Sequence, residues 1–196
     1  MNEDARVTGT HRVVSSEAEE LILVDEQDNE TGFASKAESH DGHGILHRAF
    51  SVFLFNDRGE LLLQQRSPAK RLWGGYWSNS CCSHPRRGES MGVATRRRLR
   101  DELNIDAELE FVYKFAYQAD FGDAGAENEL CHVFLGRCDE VRPNASEIAA
   151  IRFITAADLG AEFAASPETL TPWFRLEWEA LQRNHRETLA KYCALS

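Results

Sequence analysis

The chain has 196 residues, a length that suits one domain with a full hydrophobic core. Its 32 acidic and 22 basic side chains give a formal net charge of −10, which argues against binding to nucleic acid or to an anionic membrane. No apolar run approaches the roughly 20 residues of a membrane span and the first residues lack an export signal, so we expect a soluble, cytoplasmic protein.

The predicted elements begin after a polar arm over residues 1–19, which we expect to be flexible, and residues 20–196 then form a single domain. Short apolar runs predict a strand over 21–25 and a hairpin of two strands, 49–55 and 61–66, joined by an Asn-Asp-Arg-Gly turn.

The second half of the chain continues the alternation of elements. The stretch from Ser90 to Leu103 contains no proline and predicts a helix with a strongly basic face. Further strands are expected around 109–120, 127–138 and 148–154. A helix from about Pro172 to Tyr192 is expected to close the chain, because proline is tolerated in a first helical turn. This order predicts an α+β fold, an α/β/α sandwich around a mixed sheet.

Two short motifs carry side chains that bind metals. Glu127 and Glu129 are two residues apart, so on a strand they project to the same face, and two carboxylates held together need a cation or a shared proton. His40, His43 and His47 lie in a glycine-containing loop, and with His84 they suit zinc, manganese or iron. The alternative is a solvated loop and an exposed strand face, but the apolar residues after Glu129 favour a strand that enters the core.

The five cysteines make a poor disulfide framework, and we expect reduced thiols. Cys82 is two residues before His84, and a thiol near a metal or another cation can act as an acid or a base. Two alternatives stay open. Cys81 and Cys82 are small buried side chains in one. In the other they form a structural zinc site with His84 and Cys131, although adjacent cysteines lack the two-residue gap of a CxxC motif.

Basic side chains flank these motifs, and the set comprises Lys36, Arg66, Lys70, Arg71, the run Arg96-Arg97-Arg98 and Arg100. Isolated arginines usually belong to the solvated surface. In a chain of net charge −10, however, three consecutive arginines near a cysteine–histidine motif favour an anionic phosphate substrate, since guanidinium groups bind phosphate oxygens in pairs.

With these motifs in order, the chain resembles the type I isopentenyl diphosphate isomerases, which share a fold with the Nudix hydrolases. The resemblance runs from about Leu21 to Trp173 and rests on four motifs: Lys36 with His40 and His47, Arg66 and Lys70 leading to Trp73-Gly74-Gly75-Tyr76-Trp77, Asn79 to Pro85, and Glu127-Asn128-Glu129. It implies a Nudix-like mixed sheet flanked by helices with a C-terminal helix. It also implies the reversible 1,3-allylic isomerisation of isopentenyl diphosphate to dimethylallyl diphosphate, in isoprenoid biosynthesis.

The chain departs from the Nudix hydrolase pattern G-x5-E-x7-R-E-U-x-E-E-x-G-U, in which U is a bulky aliphatic residue. Aligned with it, Ser83 and Asn104 replace glycines, Arg98 replaces a glutamate and Asp101 shortens another. The loss of carboxylates from the helix that would hold catalytic Mg²⁺ weakens the prediction of a diphosphate hydrolase, which is the runner-up. A third class is a non-catalytic binding module stabilised by a metal.

The resemblance implies the following metal and diphosphate ligands. His40, His47, His84, Glu127 and Glu129 would bind one divalent ion, which is zinc, manganese or magnesium. Glu102 and the main-chain carbonyl of Cys82 would hold Mg²⁺ against the substrate diphosphate. Lys36, Arg66, Lys70 and Arg98 would neutralise that diphosphate, and His43 is not required.

The resemblance also implies the groups that act on the carbon skeleton. Cys82 matches the catalytic thiol, Glu129 the catalytic carboxylate and Tyr117 the tyrosine that assists it, and which of the first two acts first is left open. Trp173 matches an active-site tryptophan, and an aromatic face stabilises a cation. The expected partner is a small diphosphate, with no nucleic acid and no membrane, and the expected state is a monomer or weak homodimer.

Overall fold

We describe the fold from a computed structural model of the chain, which covers residues 5–6, 12–138 and 140–195. The strands are β1 (Ala5–Arg6), β2 (Glu20–Val24), β3 (Glu30–Ser35), β4 (His47–Phe55), β5 (Leu61–Arg66), β6 (Trp77–Ser78), β7 (Cys81–Ser83), β8 (Leu109–Asp120), β9 (Ala126–Arg137) and β10 (Ile148–Ile154). The helices are α1 (Lys36–His40), α2 (Met91–Leu103), α3 (Ala156–Ala165), α4 (Pro172–Asn184) and α5 (Arg186–Leu189).

Strand β4 is the centre of a mixed sheet. It pairs in parallel with β9 over its whole length and antiparallel with β7, while β8 pairs antiparallel with β9. The predicted hairpin of β4 and β5 is antiparallel, but its strands meet only at Phe55 and Leu61. Beyond that point the two strands part, because β5 pairs with β10 and β6 while β7 takes the edge of β4.

Apolar clusters on both faces of the sheet confirm the α/β/α sandwich. One cluster packs Val52 and Leu62 against Leu99 and Leu103 of α2. The other packs Phe53 with side chains of α3 and α4, including Leu159, Phe174 and Trp178. The sheet therefore has a helix on one face and the C-terminal helices on the other.

The predicted central helix is present as α2. Its two ends are capped by polar residues, and its basic residues do not all lie on one exposed face. Ser90 accepts a hydrogen bond from the Val93 backbone and caps the first turn. Asn104 ends the helix at φ 56°, so an asparagine takes the left-handed position where the Nudix pattern has glycine. Arg98 is 2 % exposed and donates to Glu102 four residues on, so it is not part of the solvated basic face.

The C-terminal helix ends earlier than expected. Its prediction extended to Tyr192, whereas α4 ends at Asn184 and the short α5 follows. His185 leaves helical geometry at φ −129°, and its ring stacks on Tyr113 at a centroid distance of 4.6 Å. The sequence alone predicted that the helix continues past His185, but this tertiary contact ends it there.

The structure places part of the predicted N-terminal arm against the domain. Residues 1–4 and 7–11 of the arm lie outside the described residues. Ala5–Arg6 pair with β10, and Val13, Ser15, Glu17 and Glu19 line the cavity described below. The boundary at residue 19 stays a prediction. In the described part of the chain, no helix has the length and hydropathy needed to cross a membrane.

Candidate active site

Five predicted metal ligands converge because neighbouring strands carry them at matching positions. His47 of β4 lies beside Glu129 of β9 in the parallel register. Glu127 is two residues before Glu129 and projects to the same side. His40 is the last residue of α1, and His84 directly follows β7. Four separate segments therefore contribute side chains to one cluster.

One glycine lets the loop between α1 and β4 bring two histidines to this cluster. Gly44 has φ 71°, and a Cβ at this position would lie 3.0 Å from Asn128 Cβ on β9. Only a residue without a side chain fits this turn and this close approach without strain. The turn reverses the chain between His40 and His47.

The geometry of the cluster fits a divalent metal ion. One ligand atom from each of the five residues lies within 4.8 Å of the others. His47 Nε2 and Glu127 Oε2 are buried and have no hydrogen-bond partner. His40 Nε2 is 2.8 Å from that Glu127 oxygen, but the contact lacks hydrogen-bond geometry. Buried polar atoms without partners are costly, and a bound cation would satisfy both of them.

Backbone carbonyl groups orient two of the imidazoles. His40 Nδ1 is 2.7 Å from the carbonyl oxygen of Lys36, and His47 Nδ1 is 2.7 Å from that of Ile45. A carbonyl oxygen only accepts hydrogen bonds, so each Nδ1 carries a hydrogen and each Nε2 is directed to the cluster. Second partners of this kind commonly fix metal-binding histidines.

The protonation states of the cluster follow from burial and from the neighbouring charges. Burial lowers the pKa of His47 to about 4, and burial together with His47 lowers the pKa of His84. Both imidazoles are therefore neutral at pH 7, the form that binds metals. Burial and the Glu127 charge raise the pKa of Glu129. Although burial opposes it, His40 lowers the pKa of Glu127 to about 2, so Glu127 ionises at lower pH than Glu129.

Three other candidate ligands lie outside the cluster. The His43 side chain is 89 % exposed, with Nδ1 3.3 Å from Asp120 Oδ1, so the loop histidines do not act as a set of three. Cys81 packs under α2 on the opposite face of the sheet, and Cys131 donates to Glu177 Oε1 at 3.3 Å. The alternative zinc site with adjacent cysteines is therefore wrong, because strand alternation separates them.

Cys82 borders the same cavity as the cluster. It lies on β7 opposite Ser51 of β4, and its S–H donates to Asn79 Oδ1 at 2.8 Å. Burial and the Glu177 carboxyl group raise the pKa of Cys82 to about 12, so its thiol keeps the proton at pH 7. The other four cysteines are buried, whereas Cys82 is partly accessible from the cavity.

Tyr117 and Trp173 complete the wall of this cavity, which has a volume of about 540 Å³. Tyr117 lies beside Glu129 in the β8–β9 register, and its hydroxyl donates to Glu129 Oε2 at 2.6 Å. The guanidinium carbon of Arg66 lies 5.3 Å from the Trp173 ring centroid. A carboxyl group, a phenol, a thiol and an indole therefore share one enclosed space.

The four basic residues predicted to bind diphosphate line the same cavity, namely Lys36, Arg66, Lys70 and Arg98. Lys70 forms an ion pair with Glu147, and Arg98 Nη2 donates to Glu147 Oε2 at 3.0 Å. Arg98 Nε also donates to Glu102 Oε1 at 2.9 Å. Against burial, these two cations lower the pKa of Glu147 to about 2. The other three arginines of α2 have different surroundings. Arg96 is exposed, Arg97 pairs with Glu89, and Arg100 pairs with Asp106.

Sequence reasoning missed Glu147, which lines the cavity, and Ser78, which contacts Trp173 of its wall. Glu147 is an isolated glutamate before β10, and no local pattern connects it with Lys70 or Arg98. No sequence pattern pointed to Ser78 either, although it directly precedes the Asn79–Pro85 motif on which the family resemblance rests. Only the fold brings these residues to the site.

Comparison with known proteins defines the class of this fold and site. The NUDIX domain family matches residues 45–174. Among solved structures, DR0079 from Deinococcus radiodurans has a TM-score of 0.65 at 23 % identity, covering 89 % of this chain and 99 % of that one. The MutT protein of Methanosarcina mazei has a TM-score of 0.59 at 19 % identity, covering 72 % of this chain and 96 % of its own. The chain has the Nudix fold.

Curated relatives narrow the class. Isopentenyl-diphosphate Delta-isomerase 1 of Photorhabdus laumondii is 43 % identical over 174 residues, which are 87 % of this chain and 99 % of that protein. The Serratia proteamaculans Isopentenyl-diphosphate Delta-isomerase is 42 % identical over 177 residues, 90 % of this chain and 98 % of that protein. The chain belongs to the isopentenyl-diphosphate Delta-isomerase family within the NUDIX domain proteins.

Proposed function

We infer that the chain catalyses the reversible 1,3-allylic isomerisation of isopentenyl diphosphate to dimethylallyl diphosphate, a step of isoprenoid biosynthesis. The observation that carries this inference is the arrangement of one cavity. Cys82 and the hydrogen-bonded Glu129–Tyr117 pair border it together with four basic side chains. Membership of the isomerase family supports the same reaction.

The reaction needs one proton donor and one proton acceptor. The double-bond electrons take a proton at the terminal methylene, which leaves a tertiary cation at C3. The electrons of a C2–H bond then form the new double bond, and the C2 proton passes to a base. An unactivated alkene requires a strong acid and a site that keeps water from the cation.

We assign these transfers to Glu129 and Cys82. Tyr117 donates to Glu129 Oε2 and fixes the direction of that carboxyl group, and burial together with the Glu127 charge raises its pKa. We assign proton donation in the forward direction to this Glu129–Tyr117 pair, in which the phenol and the carboxyl group share a hydrogen bond. Cys82 would take the C2 proton as a thiolate, so its own proton must first leave to solvent, and nearby positive charge has to lower the pKa of the thiol. Trp173 faces the cavity and would stabilise the cation through its ring.

The diphosphate group would lie at the basic end of the cavity. Lys36, Arg66, Lys70 and Arg98 offer charge-assisted donors to phosphate oxygens. We assign Glu102 and the Cys82 carbonyl to a Mg²⁺ ion on the diphosphate. The five-residue cluster would hold zinc, manganese or magnesium, which as a bound cation supplies positive charge that stabilises deprotonated groups beside it.

The test follows proton exchange in D₂O. Purified, metal-loaded protein is incubated with isopentenyl diphosphate, and NMR follows the five-carbon product. Dimethylallyl diphosphate with solvent deuterium in a methyl group is the expected result. Recovery of unchanged substrate, together with release of inorganic phosphate or a monophosphate from a panel of diphosphates, would replace the isomerase with a Nudix hydrolase.

A further inference from the structure

A chain of hydrogen bonds behind the cavity joins two groups that the proposed function assigns to the carbon skeleton of the substrate. Trp173 Nε1 donates to Ser78 Oγ at 3.1 Å, and Ser78 Oγ donates to Asn79 Oδ1 at 3.0 Å. The Cys82 S–H donates to the same Asn79 oxygen at 2.8 Å. Ser78 and Asn79 therefore connect the indole and the thiol without contacting the metal cluster.

The directions of these hydrogen bonds are fixed by donor and acceptor counts. Ser78 has one hydroxyl hydrogen, which it gives to Asn79, so its oxygen accepts from Trp173 and from Thr171 Oγ1 at 3.0 Å. Asn79 Nδ2 donates to the carbonyl oxygen of Val52 at 3.2 Å. A flipped Asn79 amide would put two oxygens together at Val52 and a donor against the Cys82 hydrogen. One arrangement therefore satisfies every group.

The connection is also rigid and dry. Ser78, Asn79 and Thr171 are all 0 % exposed. Ser78 lies on β6 opposite Gln64 of β5, while Asn79 reaches the backbone of β4. Buried hydrogen-bond networks of this kind hold side chains in one orientation.

We propose that Ser78 and Asn79 are positioning residues that set the Cys82 thiol and the Trp173 indole at a defined separation across the five-carbon fragment. The proposal rests on the proposed isomerase function. Neither residue contacts substrate atoms in this role. They act on the rate of proton transfer by holding the Cys82 thiol and the Trp173 indole in place. A displacement of either side chain by about 1 Å would lower that rate about 10²-fold.

Ser80 provides a matched control on the same segment. It is also 0 % exposed, but its Oγ donates to the Leu62 carbonyl at 2.6 Å and accepts from the Leu54 backbone at 2.8 Å. Replacement of Ser80 thus removes two buried hydrogen bonds, against three for Ser78, and the Ser80 hydroxyl bonds neither Cys82 nor Trp173. A purely structural effect would therefore lower kcat in both variants.

The experiment measures kcat and KM of isomerisation for Ser78→Ala, Asn79→Ala, the double variant and Ser80→Ala. We expect kcat to fall about 10- to 100-fold in each single variant at the bridge, with KM changed less than about threefold. Because both act through one connection, the double variant should lose about as much as the larger single loss. Ser78→Thr, which keeps the hydroxyl, should recover most of kcat, and Ser80→Ala should stay within about twofold of wild type.

Three results would overturn the proposal. They are full kcat in Ser78→Ala, an equal loss of kcat in Ser80→Ala, and a change confined to KM. Circular dichroism and thermal melting verify folding, and if Asn79→Ala does not fold, the Ser78 pair of variants decides the outcome. A wild-type protein without isomerisation would refute the proposed function itself, whereas an active wild type with an equally active Ser78→Ala would refute only the positioning role.

Discussion

Cys81 and Cys82 are neighbours in the chain, yet their side chains lie on opposite faces of the sheet. Cys81 pairs with Val52 and packs among the apolar residues under α2, where it is 0 % exposed. Cys82 pairs with Ser51 and borders the cavity. The alternation of side chains along β7 therefore gives the two thiols different surroundings.

This separation predicts different effects of alanine at the two positions. Cys82→Ala removes a proton-carrying group and should lower kcat by about 10³-fold or more, while the protein stays folded. Cys81→Ala should keep kcat within about threefold and lose about 1 kcal/mol of unfolding free energy, since it leaves a small cavity. Steady-state kinetics and urea denaturation measure both effects. An inactive Cys81→Ala beside an active Cys82→Ala would mean that the assignment through Ser83 is wrong.

Glu177 is a carboxyl group buried in the core beneath the cavity. It is 0 % exposed on α4, Cys131 donates to its Oε1, and its Oε2 has no hydrogen-bond partner. Burial raises the pKa of Glu177 to about 8. The folded protein therefore holds this group protonated at pH 7, whereas the unfolded chain ionises it above about pH 4.5.

The sign of the resulting pH dependence is clear. Between the unfolded pKa of 4.5 and the folded pKa of about 8 the native state binds more protons, so Glu177 reduces stability as pH rises through this window. Glu177→Gln should raise the unfolding free energy by several kcal/mol at pH 8.5 and by little at pH 4.5. Urea denaturation across this pH range measures the difference.

Glu179→Gln is the control for this prediction, because Glu179 lies on the same helix with a half-exposed side chain that contacts Arg175 at 3.3 Å. Its effect should stay below about 0.5 kcal/mol at every pH. A stability difference between Glu177→Gln and wild type that is the same at pH 4.5 and pH 8.5 would contradict the buried, protonated carboxyl group.

At the scale of elements, sequence reasoning succeeded where a property depends on local spacing. The i, i+2 alternation correctly placed Glu127 and Glu129 on one face of β9, and the stretch from Ser90 to Leu103 correctly predicted α2. Sequence reasoning could not find distant partners such as Glu147, from the loop before β10, which accepts a hydrogen bond from Arg98. The end of α4 depends likewise on a contact with β8 that no window of the helix contains.

The loop between β8 and β9 supports the metal cluster through a glycine. Gly125 has φ 126°, and a Cβ there would lie 2.1 Å from the carbonyl oxygen of His40. Gly122 in the same loop also has positive φ, 57°, but a Cβ there meets nothing within 4 Å. A side chain at Gly122 would therefore cause only backbone strain, whereas a side chain at Gly125 would also collide with the end of α1.

Alanine at these two positions should have unequal effects. Gly122→Ala should cost about 1 kcal/mol from the left-handed backbone alone and leave metal affinity unchanged. Gly125→Ala should cost about 3 kcal/mol or more and weaken Zn²⁺ or Mn²⁺ binding at least about tenfold, since α1 must move His40 away. Thermal melting and calorimetric metal titration measure both quantities. Equal metal affinity in the two variants would mean that the close approach of Gly125 to α1 does not hold His40 in the metal cluster.

At the scale of the whole molecule, charge is distributed unevenly. The chain carries a net charge of −10, while four basic side chains converge on one cavity beside a cluster of three imidazoles. Carboxyl groups already contact three of these cations, since Glu17 lies 3.3 Å from Lys36 and Glu147 contacts Lys70 and Arg98. An arriving diphosphate therefore has to replace or rearrange interactions within the protein.

The charges around the metal cluster predict that metal binding releases protons. Burial and Glu127 raise the pKa of Glu129, and the Glu127 charge raises that of His40 although burial opposes it. Both groups lose protons when they become metal ligands, so binding at pH 7 should release about one to two protons, and affinity should fall as pH decreases. Calorimetry in buffers of different ionisation enthalpy counts these protons. Glu129→Gln should reduce the count by about one, whereas His43→Ala, at an exposed position in the same loop, should leave it unchanged. Binding without proton release would mean that Glu129 is already ionised before the metal arrives.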